Sequence, residues 1–200
     1  MPVVPASLLV RLCAADYDGR MERVARVLGY WQYQGMHASV VLVDDARALV
    51  CSGSNDPCDW ARNFRFVPAW WGGRLWHRGF LGEAGRVAMW AEKLPQVDIV
   101  TGHSRGAAVA QIVAVMLQVP AVTFAAPRPL WIGSQPEGAH RVVNFGIRQD
   151  PVAAGPVSRM LGFRHVGRVE WLEIAIEDPV LAHRVETYRV AVEAWERARA

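Results

Sequence analysis

Ser104 stands in Gly102-His-Ser-Arg-Gly106, a Gly-x-Ser-x-Gly pentapeptide. Small residues two places either side of a serine suit a sharp, strained turn that lifts the hydroxyl above a sheet, where it serves as a nucleophile. At this glycine and serine content the pattern arises by chance in about one chain of this length in twenty, so its surroundings decide its meaning. Before it, Val97 to Thr101 is short, β-branched and bounded by Pro95, which predicts a buried strand. After it, Ala107 to Leu117 is apolar almost all round, which predicts a helix buried on most sides. Strand, turn and helix start in that order make a nucleophile elbow. The backbone N–H of Arg105, at the helix N-terminus, then faces the position of a developing oxyanion.

A serine hydroxyl is too weakly acidic to attack alone. It needs an imidazole base, and the base needs a carboxylate to fix its tautomer and stabilise its charge. Elbows of this kind take the chain order serine, acid, histidine. That order excludes His37, His77 and His103, and it disfavours His140, which precedes the best acid. His165 lies within a strand pattern and reads as structural, whereas His183 follows Asp178-Pro179 at the start of the last helical pattern and is the preferred base. Asp150 lies just past the strand pattern Arg141 to Gly146, at the strand end where such sheets gather their chemistry, and is the preferred acid over Asp178. Upstream, the strand Ala48 to Cys51 ends in Ser52-Gly53-Ser54-Asn55. Ser54 is a candidate second oxyanion donor, with an ordinary turn as the competing reading.

These groups need a sheet to hold them. Ala38 to Val43 and Ala48 to Cys51 read as a hairpin across Asp44 to Arg47, and Pro120 to Ala125 as a further strand. Leu8 to Asp16, Met21 to Tyr30 and Leu81 to Leu94 have helical spacing, Phe163 to Ile176 reads as a last strand or hairpin, and His183 to Arg199 as a closing helix. Apolar strands alternating with helices imply an α/β fold, a mainly parallel central sheet with helices on both faces. From Asp59 to Phe80 the chain is rich in aromatics, among them Trp60, Trp70, Trp71 and Trp76. They read as core packing or as a wall for an apolar substrate chain.

Two hundred residues at 52% hydrophobic and 20% charged describe a single globular domain over 1–200 with a substantial core. The net charge is +3, but the basic residues, all arginine except Lys93, are interleaved with acids. That spacing argues against nucleic acid as a partner. No apolar run is long enough to span a bilayer. The N-terminus lacks a positive segment and carries prolines at 2 and 5, so a cytoplasmic chain, or one exported by another route, is expected. Three cysteines without metal spacing are expected to be free thiols, with a Cys51–Cys58 pair as the alternative.

The motifs resemble those of the class 3 lipases, the α/β-hydrolases that include the fungal triacylglycerol lipases. Thr101-Gly-His-Ser-Arg-Gly-Ala-Ala-Val-Ala110 is similar to that family's Thr-Gly-His-Ser-Leu-Gly-Gly-Ala-x-Ala, and Thr123-Phe-Ala-Ala-Pro-Arg128 to its Thr-Phe-Gly-x-Pro-Arg. Val142-Val-Asn144 running to Asp150-Pro-Val152 resembles its acid-bearing segment, His165-Val-Gly167 with Glu170-Trp171 its following strand, and His183 with Tyr188 its final His-x-x-x-x-Tyr. Cys51-Ser-Gly-Ser54, followed by Asp59-Trp60 and His77-Arg-Gly-Phe80, resembles its Phe-Arg-Gly-Thr region. The resemblance implies an α/β-hydrolase with Ser104 as nucleophile, Asp150 as acid, His183 as base, and Ser54 beside Arg105 as oxyanion donors. This sequence departs from the pattern at Cys51-Ser52, at Arg105 and at Ala107, and the short interval from Ser54 to Asp59 leaves little room for an amphipathic lid.

The function so implied is a serine carboxylester hydrolase, a lipase or esterase, working through an acyl-enzyme on a small-molecule or lipid ester without metal or organic cofactor. Transient contact with a lipid surface is compatible with it. Acyl transfer or thioester hydrolysis on the same triad, and a catalytically silent binding module, are the alternatives.

Overall fold

A computed structural model describes residues 4–53 and 67–200. Ser54, Cys58 and Trp60 lie outside the described residues, and with them the expectations placed on those three.

The central sheet has seven strands in the order β1-β2-β3-β6-β7-β9-β10. They are β1 (Arg26–Tyr33), β2 (Met36–Val43), β3 (Ala46–Cys51), β6 (Ile99–His103), β7 (Ala121–Phe124), β9 (Val142–Ile147) and β10 (Arg168–Leu172). From β3 to β10 every pairing is parallel, while β1 and β2 add an antiparallel edge. The β2–β3 hairpin is the expected one, closed by Asp44-Asp45, with Asp44 at positive φ as a tight hairpin turn requires. A small second sheet joins β4 (Pro68–Trp71), β5 (Arg74–His77) and β8 (Leu130–Ile132).

Helices cover both faces, as apolar parallel strands demand. On one face α2 (Arg78–Ala91) and α3 (Arg105–Leu117) pack together over Val40, Leu49, Cys51 and Val100. On the other, α1 (Ala6–Tyr17) and the closing helix α7 (Val185–Arg197) bury Leu9, Leu12 and Val192 against Val41, Val50, Phe145 and Ile147. Helix α3 is buried from Gly106 to Val115, because it is wedged between the sheet and α2. Three short helices follow the last parallel strands: α4 (Pro151–Ala154), α5 (Pro156–Met160) and α6 (Pro179–His183).

The expected helix over Met21 to Tyr30 does not form. A single 3₁₀ turn, Met21–Arg23, leads into β1, whose residues alternate between half-buried and exposed with period two. Pairing with β2 overrides the local helical spacing, with a register irregularity at Leu28 between Val27 and Gly29. The expected strand over Phe163 to Ile176 is shorter than predicted: Arg164 makes one bridge to Leu130, and β10 begins only at Arg168.

The aromatic run divides. Trp76 is fully buried and donates its indole N–H to the Trp71 carbonyl at 3.0 Å, and Trp71 packs on the same core. Trp76 is thus a packing residue and not part of a substrate wall, while Trp71 is half-buried against it. Trp70, on β4, is 68% exposed.

Candidate active site

The site is built on the elbow between β6 and α3. Ser104 has φ 56° and ψ −126°, a conformation that L-residues rarely adopt and that persists only where the surroundings impose it. Its N–H donates to Phe124 O at 3.0 Å, and its carbonyl accepts from Ala107 N at 3.0 Å, which pins the turn to β7 and to the helix. The two glycines have a steric reason. A Cβ on Gly102 would come within 2.6 Å of the Gly106 backbone, and one on Gly106 would collide with the carbonyls of Cys51 and Ser52. The elbow is thus closed against itself and against the end of β3.

The structure brings Ser104, His183 and Asp150 together. His183, the last residue of α6 rather than the start of the closing helix, has Nε2 2.9 Å from the Ser104 hydroxyl. Its Nδ1 is 3.0 Å from each Asp150 carboxylate oxygen. An ionised carboxylate only accepts, so Nδ1 carries the proton and Nε2 presents its lone pair to the serine. All three side chains are buried, Asp150 completely. Asp150 caps α4, accepting from Val152 N at 2.8 Å, so the proline after it starts a helix and fixes the carboxylate.

The rival groups lie elsewhere. Asp178 is exposed and caps α6, accepting from Val180 N at 2.8 Å and Leu181 N at 3.1 Å. It therefore positions the helix that carries His183. His165 is buried but makes no hydrogen bond to the serine or the acid. His140 is exposed in a 3₁₀ turn.

Arg105 is the first residue of α3, so its N–H has no carbonyl within the helix to bond. Its guanidinium is held by other groups, with Nε 3.7 Å from Glu83 on α2 and Nη2 3.3 Å from the carbonyl of Gly35 in the β1–β2 turn. Burial raises the Glu83 carboxyl above the usual carboxylate range, and the nearby Arg105 and Arg86 oppose that rise. Gly53, the residue before the expected donor Ser54, has no room for a side chain: a Cβ would run into the Tyr17 hydroxyl and lie 3.0 Å from His103 O.

Several participants escaped the sequence reading. Tyr188, noted in the sequence as the end of a His-x-x-x-x-Tyr pattern but given no role there, is fully buried and donates to Asp150 Oδ2 at 2.7 Å while accepting from Ile147 N at 3.0 Å. Burial, then the charge of Asp150, push its phenol well above the ordinary range, so it stays a donor. His103 packs its ring 5.1 Å from the His183 ring, and its Nδ1 is 3.0 Å from the Tyr17 hydroxyl. Burial, then the neighbouring His183, lower its pKa well below the usual histidine value, so no second positive charge sits beside the base. Tyrosine spacing five residues after His183 was the available signal for Tyr188. Nothing local marks Tyr17, which reaches His103 across 86 residues of sequence.

Among the described residues no helix is long and apolar enough to cross a membrane.

No protein-family model matches the sequence, and no curated protein matches it. Solved structures resemble it in fold. The Rhizomucor miehei triacylglyceride lipase superposes with a TM-score of 0.65 and 20% identity, covering 88% of this chain and 80% of that one. A triacylglycerol lipase from Penicillium expansum gives a TM-score of 0.63 and 14% identity over 83% of this chain and 77% of the other. A further triacylglycerol lipase, whose catalytic centre is formed by a serine protease triad, gives 0.63 and 21% over 84% and 78%. With a mainly parallel sheet, helices on both faces and a serine at the strand-to-helix elbow, this chain has the α/β-hydrolase fold in the form seen in the fungal lipases.

Proposed function

We propose that the chain is a serine carboxylester hydrolase of lipase or esterase type. The observation that carries this reading is the line of contacts from the strained Ser104 through His183 to the buried Asp150, with hydrogen-bond distances of 2.9 and 3.0 Å. In this reading Ser104 Oγ attacks the ester carbonyl as His183 Nε2 takes its proton, and Asp150 stabilises the imidazolium. The Arg105 N–H, together with the Ser54 N–H and hydroxyl, receives the oxyanion. His183 then returns the proton to the leaving alcohol, and water, activated by the same imidazole, releases the acid from Ser104. Lipid esters are the proposed substrate class, because the neighbours in fold are triacylglycerol lipases.

The test is hydrolysis of p-nitrophenyl esters from acetate to palmitate by the wild type beside Ser104→Ala. Activity that is lost in the variant supports the assignment, and the preferred chain length separates esterase from lipase. Equal activity in the two proteins rules out Ser104 as nucleophile, and a wild type inert on every ester removes the hydrolase reading.

A further inference from the structure

The end of β3 beside the elbow is held by an arrangement that the activity does not by itself require. The β2–β3 register ends at Ala38 opposite Cys51. One step further, where the resembling pattern carries arginine, this chain has Ser52. Ser52 N donates to His37 O at 3.0 Å, but the return bond from His37 N goes to the Ser52 hydroxyl, at 2.9 Å, instead of to a backbone carbonyl. That hydroxyl in turn donates to His37 O. The ladder therefore closes on a side chain, which frees the Ser52 carbonyl to lie against Gly106 and sends Gly53 under the Tyr17 hydroxyl.

The His37 ring is anchored as well. Its Nε2 is 3.1 Å from Asp16 Oδ1 at the end of α1, with the carboxylate side chain only 6% exposed and the imidazole 27%. His37 thus joins two supports, Asp16 through its ring and the β3 end through its backbone.

We infer that Asp16, His37 and Ser52 form a positioning link that holds the Ser52–Gly53 strand end beside the nucleophile, and that the link is tightest when His37 is an imidazolium. Its bearing on catalysis rests on the hydrolase reading above; the structural coupling does not. The hydrogen bond to Asp16 raises the His37 pKa above its ordinary value, burial opposes this, and the charge of Asp16 adds to it. The other groups facing the ring are Arg105 from α3, whose charge lowers the value, and Tyr30 from β1, whose ring is 5.7 Å away. Deprotonation of His37 removes its charge–charge attraction to Asp16 but leaves a neutral N–H that can donate to the same carboxylate, so it loosens the anchor without releasing it.

The sign follows. Loss of the His37 proton as the pH rises gives an alkaline limb in the kcat profile. His37→Gln keeps a neutral donor near the Nε2 position and His37→Ala removes the donor. The expected result is a kcat about five- to tenfold lower in His37→Ala at unchanged KM, recovered to within about twofold in His37→Gln, which lacks the alkaline limb. Asp16→Asn moves that limb to lower pH.

The coupling is read without substrate by following the Gly53 backbone amide and the His37 ring in NMR titrations of the wild type, Asp16→Asn and His37→Gln. A Gly53 amide that shifts with the His37 midpoint, follows that midpoint downward in Asp16→Asn and stays flat in His37→Gln supports the link. A Gly53 amide that is flat while His37 titrates in the wild type overturns it, even if ester hydrolysis is found. A protein inert on esters, with the coupled shift present, removes the hydrolase reading and leaves the link standing.

Discussion

The Tyr188 hydroxyl lies 2.7 Å from Asp150 Oδ2 and 3.0 Å from the Ile147 N–H, so one buried phenol joins the acid of the site to the end of the strand that delivers it. Tyr188 belongs to α7, the helix that packs with α1 behind the sheet. The site is therefore braced from outside its own loops. Removing the hydroxyl takes this acceptor from the buried Ile147 N–H and one of two donors from Asp150 Oδ2, which keeps His183, and an unsatisfied buried group costs about 1–3 kcal/mol. Tyr188→Phe should lower the stability by about 2 kcal/mol, read as a shift in urea midpoint at constant slope. Under the hydrolase reading, it should also lower kcat about tenfold with KM unchanged, because the carboxylate is less firmly oriented. Unaltered stability and kcat would mean that the contact is incidental.

The elbow makes a second demand. Gly106 has no space for a methyl group, since the atoms it would meet are the backbone carbonyls of Cys51 and Ser52, which cannot swing aside as a side chain can. Gly106→Ala should cost about 3 kcal/mol. Gly85, on the open side of α2, has nothing within 4 Å of an added Cβ. Gly85→Ala should instead be neutral or stabilising by about 1 kcal/mol, because alanine is the better helix former. Chemical unfolding of the two variants side by side checks this. Equal midpoints would show that the β3 end yields more readily than its backbone contacts imply.

Acid stability should be set in part by the two buried neutral histidines. Burial, followed by the charge of Arg128, lowers His165 to about 3, and His103 is also displaced well below its ordinary value. Both regain an ordinary pKa when unfolded, so the unfolded chain binds more protons once the pH drops below about 6.5. Stability should then decline from about pH 6.5 toward the depressed folded values, at about 1.4 kcal/mol per pH unit for each such histidine. His165→Leu, of similar volume and without a titrating group, should flatten that decline. Urea midpoints for wild type and variant at several pH values across the window provide the measurement, and parallel slopes would refute the assignment to His165.

The parts that were legible in the sequence are those whose signal is local. Gly102 to Gly106 encode the elbow because its sterics act within five residues, and the run from Ala107 to Leu117 is apolar because α3 is enclosed. Asp150 and His183 were legible through chain order and strand ends. What was not legible depends on partners distant in sequence. Met21 to Tyr30 carries helical spacing, and only the neighbouring β2 converts its second half into a strand. Tyr17 and His37 look like ordinary scaffold residues, and Tyr188 carries only its spacing from His183, until α1 and α7 are packed behind the sheet, which sets their polar ends against His103, Asp16 and Asp150. Trp76 was left between core packing and a substrate wall because composition cannot tell an aromatic that faces a ligand from one that fills a core.

Two aspartates with similar local sequence, Asp150-Pro-Val and Asp178-Pro-Val, share a capping contact and differ in what else they touch. Each caps a short helix through the N–H two residues on, at 2.8 Å, but only Asp150 also meets His183 and Tyr188. Asp150→Asn can still accept the capping bond, yet its amide can donate to Nδ1 and so favour the tautomer that places a proton on Nε2, where the serine proton must go. Under the hydrolase reading, kcat should fall about 10⁴-fold with little change in KM. Asp178→Asn also retains a capping oxygen, meets no member of the triad, and should keep kcat within about twofold. Ester hydrolysis by the pair at one pH, with circular dichroism to verify the fold, provides the check. A large loss in Asp178→Asn, or a small one in Asp150→Asn, would reverse the assignment of the acid.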